Sequence, residues 1–136
     1  MRMGDSFKNL LVWQRSMDLA LASYQLTAAF PNAENSGRTA QMRRCSVSVP
    51  SNIAEGHGRS TTGEYLQFLG HARGSNSELE TQLILARQLG FGARDKIEEC
   101  EQLCSETGRL LGLLIKSIQI KIQAKQQPRI PRPLVL

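Results

Sequence analysis

The chain has 136 residues, a formal net charge of +5 and 5% aromatic residues, a size that fits one domain with a sizeable core. Its opening, MRMGDSFKNL, lacks the apolar stretch of a signal peptide, and no apolar run reaches the roughly 20 residues of a membrane-spanning helix, so neither a leader nor a membrane span is expected. Cys45, Cys100 and Cys104 form no C-x-x-C pair and, with two histidines, no zinc spacing; they read as buried apolar thiols in a reducing cytoplasm, with no metal or cofactor implied.

In chain order, Leu10, Trp13, Met17, Ala20, Leu21, Tyr24 and Ala28 follow the three-and-four spacing of one helix face and predict a first helix with these residues as its core seam. Val12, Leu19 and Leu26 recur at sevens on the opposite side. A lone bundle has no use for a second apolar stripe, so these three are expected to meet another subunit. Phe30-Pro31 stops the helix, and NAENSGRT, residues 32–39, reads as a loop or short turn.

A second helix is expected over residues 39–55, with Met42, Cys45, Val49, Asn52 and Gly56 on its seam. Pro50 removes one backbone bond, so a kink is expected there but not a break. The glycines of EGHG suit a helix C-terminus. A third helix is expected over residues 62–89, opened by Thr61 and Glu64 at capping-box spacing. Its seam reads Tyr65, Phe68, Ala72, Ser75, Leu79, Leu83 and Ala86.

GFGARD makes the next turn. A fourth helix is expected over residues 95–122, with Ile97, Cys100, Cys104, Thr107, Leu111, Leu114, Ile118 and Ile122 in register, widened by Leu103, Leu110, Leu113 and Ile120. QQPRIPRPLVL contains three prolines and reads as an extended tail. Residues 1–122 are therefore expected to form an all-α, antiparallel up-down-up-down four-helix bundle with a kinked second helix. Residues 123–136 are expected to form a mobile, proline-rich basic tail.

The charge is uneven. Residues 1–60 carry seven Lys/Arg against four Asp/Glu, residues 61–120 six against eight, and residues 121–136 four against none. Arg15, Arg38, Arg43, Arg44 and Arg59 in the basic half are candidate phosphate contacts, which need charge but no base-reading geometry. A solvated face, or intramolecular pairing with Glu55 or Glu78, is the alternative use of the same arginines. No sequence-reading nucleic-acid motif is present.

Ser51, Glu55 and His57 lie within seven residues, but no nucleophile elbow surrounds Ser51, and Glu78 and Glu80 point to different helix faces. No catalytic residue is assigned and no enzyme is expected. Asn52, Glu55, Ser75 and Glu78 are read as a polar network that sets the register between the second and third helices, with Gly74 letting the two backbones approach.

VWQRSMDLA at Val12–Ala20, Phe30-Pro31, QMRRCSVSVPSNIAEGHGR at Gln41–Arg59 and FLGHARGSNSELETQLILARQLGF at Phe68–Phe91 resemble the four-helix-bundle family of the 23S rRNA intervening-sequence proteins. That family is related to the accessory variability protein of diversity-generating retroelements. The resemblance covers residues 7–115. It departs at Arg38, where the family tends to have an apolar residue, and at Cys45, where it tends to have alanine. It implies a ring-shaped homo-oligomer, a pentamer first, with basic surfaces. It also implies RNA or DNA, or a reverse-transcribing or RNA-processing protein, as partner; from the lack of a long apolar run, no membrane is expected. The alternative is a protein-interaction scaffold whose charge is incidental.

Overall fold

The computed structural model describes residues 6–126. Among these the chain is all-α. Its helices are α1 (Leu11–Thr27), α2 (Arg38–His57), α3 (Thr62–Leu89) and α4 (Arg94–Gln126), with 3-10 turns at Phe7–Asn9 and Asn32–Glu34 and no strand. α1 packs on α2 and α4, and α3 packs on α2 and α4.

The helix ends follow local chemistry. Thr61 Oγ1 accepts the Glu64 backbone N–H at 3.2 Å and donates to Glu64 Oε1 at 3.0 Å, so the expected capping pair opens α3. Gly90, at φ 73, closes α3 in the left-handed region, and the Phe91 N–H returns to Ala86 O at 3.0 Å. Gly92 also has positive φ, at 77, and a Cβ there would collide with Leu26 Cδ1. This turn packs Phe91 on Phe30, with ring centroids 5.5 Å apart.

α2 begins at Arg38 and runs unbroken through Pro50, which is buried. α4 continues to Gln126, four residues past the expected end at Ile122. Residues 123–126 of the expected tail are therefore helical, and the rest of it, residues 127–136, lies outside the described residues.

Of the core seam expected on α1, Ala20 is buried and Leu10 and Trp13 pack on the core, but the remainder is exposed. Val12, Leu19 and Leu26 are buried, at 5%, 0% and 1% exposure, whereas Met17, Leu21 and Tyr24 are exposed. The sevenfold stripe expected to meet another subunit is the core seam of α1. Ser16, Ser23 and Thr27 complete that seam. Each satisfies its hydroxyl on its own helix, at Trp13 O, Leu19 O and Ser23 O, all at 2.8 Å. Buried hydroxyls are affordable there because none is left without an acceptor.

The core divides into two apolar clusters. One gathers Leu19, Leu26, Phe30, Met42, Cys45, Leu79, Leu83, Ala86, Ile97, Cys100 and Cys104. The other gathers Val12, Val49, Ile53, Leu69, Ala72, Leu111, Ile115 and Ile118. Between the two sets, each helix contributes one buried polar residue: Ser16, Ser46, Asn76 and Thr107. Asn76 Nδ2 donates to Cys104 O at 3.0 Å across α3 and α4. A polar level inside an apolar core penalises any sliding of one helix, because sliding would set these groups against aliphatic side chains.

Candidate functional site

Of the four residues expected in a register network, Ser75 and Asn52 both bond Ser48, and Glu55 and Glu78 do not join them. Ser48 Oγ lies 2.8 Å from Ser75 Oγ, joining α2 to α3. Asn52 Nδ2 donates to Ser48 O at 2.8 Å and to Ser48 Oγ at 3.0 Å. Asn52 therefore acts through Ser48 and does not bond Ser75. Glu55 and Glu78 are exposed; Glu55 pairs with Arg59 at 3.2 Å. Gly74 is not the point of close approach, since a Cβ there would meet nothing within 4 Å. Gly56 is, since its Cβ would lie 2.7 Å from Phe68 Cβ and 3.1 Å from Tyr65 Cδ1.

The candidate arginines separate by what already holds them. Arg15 Nε donates to Glu106 Oε1 at 3.0 Å and Nη1 to Asp18 Oδ2 at 3.1 Å, and the Glu106 bond, then the Asp18 bond, raise its pKa. Arg43 Nε donates to Thr27 Oγ1 at 2.8 Å and Nη2 to Tyr24 O at 3.3 Å. Its guanidinium lies 4.6 Å from the Tyr24 ring centroid, so it serves the Thr27 hydroxyl and the Tyr24 carbonyl at the end of α1 and stacks on an aromatic face.

Arg59 stacks at 4.5 Å on the Phe68 ring besides pairing with Glu55. Arg38 is half-buried, and its Nε is buried with no partner among the described residues. Arg44 is exposed, with no ion pair or hydrogen bond to a described residue. Arg73, Arg109, Lys116, Lys121 and Lys125 are alike in this.

Some functional chemistry lay outside the sequence reading. Arg87 forms a fork on Glu101, with Nε–Oε2 at 3.0 Å and Nη2–Oε1 at 2.6 Å, which locks α3 to α4. Buried Gln82 donates to Cys45 Sγ at 3.7 Å, and its Oε1 has no described partner. An arginine and a glutamine at helical spacing look like ordinary surface residues in sequence; only the facing helix distinguishes them.

His57 Nδ1 is 3.4 Å from Tyr65 Oη, in an edge-on ring contact. Ser51 lines an apolar groove of about 300 Å³ with Phe7, Trp13, Met17, Val47 and Pro50. The three cysteines are free and buried. Burial is the main cause that pushes their thiols up, to about 11 for Cys45 and Cys100 and about 12 for Cys104. Among the described residues no group of three His, Cys, Asp or Glu could hold a metal ion. No described helix is long and apolar enough to cross a membrane.

A family model described as 23S rRNA-intervening sequence protein matches residues 8–112. No curated protein matches the chain. The crystal structure of a protein of unknown function from the S23 ribosomal protein family of Bacteroides thetaiotaomicron is similar, with 22% identity and a TM-score of 0.68. The match covers 78% of this chain and 99% of that one. At this identity the likeness speaks to the fold alone.

Proposed function

The chain belongs to the 23S rRNA-intervening sequence protein family, and on that premise we propose a non-enzymatic, cytoplasmic, homo-oligomeric bundle that binds the backbone of RNA or DNA. It would act as an accessory to an RNA-processing or reverse-transcribing partner. The helices run up-down-up-down and antiparallel. The cross-helix pairs Arg43–Thr27, Gln82–Cys45, Ser48–Ser75, Asn76–Cys104, Arg87–Glu101, Lys96–Gln25 and Arg15–Glu106 support this arrangement. The ring, with five copies first, rests on the resemblance.

The observation that carries the nucleic-acid reading is the set of cations left over after internal pairing. Arg44, Arg73, Lys121 and Lys125 are exposed and have no described carboxylate partner. Phosphate contact needs such charges and no particular base-reading geometry, and a closed oligomer repeats each of them. Arg44 and Arg59 are the leading contacts of the basic half, because the Arg59–Glu55 pair is exposed and such pairs are weak. Arg15 and Arg43 each make two hydrogen bonds inside the chain.

Replacing Arg44 with glutamate should weaken binding to RNA and duplex DNA of any sequence alike, with the helix content intact. Binding that distinguishes sequences, or ignores Arg44→Glu together with Arg59→Glu, would overturn the assignment.

A protein-interaction scaffold is the second reading. The exposed Met17, Leu21, Tyr24 and Val47 favour it, because they give α1 and α2 apolar surface open to a partner.

A further inference from the structure

The three most exposed large apolar residues described are Leu21 at 61%, Leu113 at 57% and Ile120 at 55%. They fall in two patches of opposite charge. Arg109, Leu113, Lys116 and Ile120 follow one another at i, i+4, i+7 and i+11 of α4, which places them on one stripe of the helix. That stripe faces away from the buried Thr107, Leu111, Ile115 and Ile118. No acid occurs in residues 107–126, so the stripe is cationic and aliphatic in alternation.

The second patch is a cleft of about 400 Å³ between α1 and the first half of α4, walled by Asp18, Leu21, Glu99, Leu103 and Glu106 among others. Arg15 pairs with Asp18 and Glu106, and Lys96 with Glu99. Three carboxylates against two cations leave the cleft negative.

We propose that a second copy of this chain seats here, the cationic stripe of one copy in the acidic cleft of the next. The proposal rests on the oligomeric reading above and names its contact surface. Leu113 and Ile120 would leave water together with Leu21 and Leu103, while Arg109 and Lys116 find the carboxylates at the rim. An apolar centre with a complementary polar rim is the anatomy of a specific interface.

The order of charge along α4 also restricts the arrangement. Residues 94–106 carry Asp95, Glu98, Glu99, Glu101 and Glu106 against Arg94 and Lys96, and residues 107–126 carry Arg109, Lys116, Lys121 and Lys125 with no acid. Two copies side by side in register would set like charge on like. A copy running the other way, or displaced by about half of the 33-residue helix (about 25 Å at ~1.5 Å per residue), sets opposite charges together. A nucleic acid would use the same cations but has no use for Leu113 and Ile120, which is why a second copy is the better occupant.

The test is the mass of the full chain by light scattering, with circular dichroism to confirm helix content. The Arg109→Glu/Lys116→Glu and Asp18→Lys/Glu99→Lys pairs should each weaken assembly by about tenfold or more. The four changes together restore complementarity and should restore assembly. Either pair keeping the wild-type mass at equal concentration would overturn the proposal, as would a folded quadruple variant that stays dissociated. Loss of duplex-DNA binding by Arg109→Glu/Lys116→Glu at unchanged mass would give the stripe to phosphate and overturn it as well. A monomeric wild-type chain is a separate result, since it would overturn the oligomeric reading itself.

Discussion

Ser48 and Ser75 meet Oγ to Oγ at 2.8 Å between α2 and α3, and Asn52 reaches that link only through Ser48. Ser48 is therefore the centre of the network. Ser48→Ala strips a partner from both Ser75 and Asn52 and should cost about 1–2 kcal/mol. Asn52→Leu removes bonds within one helix at a half-buried position and should cost less than about 1 kcal/mol. Urea denaturation of the two variants gives the order; a larger loss for Asn52→Leu would contradict it.

Two glycines one residue type apart from alanine should respond with opposite sign. Gly56→Ala drives a Cβ to 2.7 Å from Phe68 Cβ and 3.3 Å from Tyr65 O, and relief requires α2 and α3 to part, at about 1–3 kcal/mol. Gly74→Ala meets nothing within 4 Å on a helix interior and should stabilise by about 0.5–1 kcal/mol. Thermal melts decide it. A tolerated Gly56→Ala would mean that the contact between these helices is looser than described.

The positions of the helices were legible in the sequence, and the inward face of α1 was not. Proline, glycine and capping residues mark ends through local chemistry, so Thr61, Gly90 and Phe30-Pro31 delimit α1 and α3 closely. On α1 both faces carry an apolar period, and period alone cannot rank them. The three-and-four spacing pointed to Met17, Leu21 and Tyr24, yet burial follows Val12, Leu19 and Leu26 with Ser16 and Ser23 between them. Those serines hide their membership of the core because they bond their own helix carbonyls.

Glycine was misread for a related reason. The spacing places Gly56 on the seam of α2 but points to Gly74 for the close approach, and only the neighbouring helix shows that Gly56 is the crowded one. The candidate arginines were legible as charge but not as free charge, since Arg15 and Arg43 are held by α4 and α1 residues far away in the chain.

The fork between Arg87 and Glu101 should show in the acid limb of stability. The Arg87 hydrogen bonds lower the Glu101 pKa from its ordinary 4.5. A carboxyl depressed in the folded state stabilises above its unfolded pKa, and that contribution is lost as pH falls through the folded value. Arg87→Met lacks it. Its melting temperature should start below wild type near neutral pH and fall less on acidification from about pH 6 to about pH 3. Parallel pH curves for the two proteins would show that the fork contributes nothing.

The cysteines should behave as buried thiols. With folded pKa values of about 11, 11 and 12 for Cys45, Cys100 and Cys104, little thiolate is present near pH 8, and access is closed as well. An aromatic disulfide reagent should label none of them quickly in the native protein and all three in denaturant. A raised folded pKa favours the protonated state, so stability is retained below the unfolded thiol pKa and falls as pH rises beyond about 9. Rapid native labelling of even one thiol would contradict the packing described.

The central claim is that the assembled bundle holds nucleic acid by its phosphates. The most direct measurement is the affinity of the wild-type protein for a labelled duplex DNA and a structured RNA across a salt series, by fluorescence anisotropy. Each phosphate neutralised on duplex DNA contributes about 0.9 to the slope of log affinity against log salt. Several subunits acting together should give a steep slope, with little difference between sequences. Micromolar protein that binds neither ligand at low salt, or binds with an affinity indifferent to salt, would contradict the account.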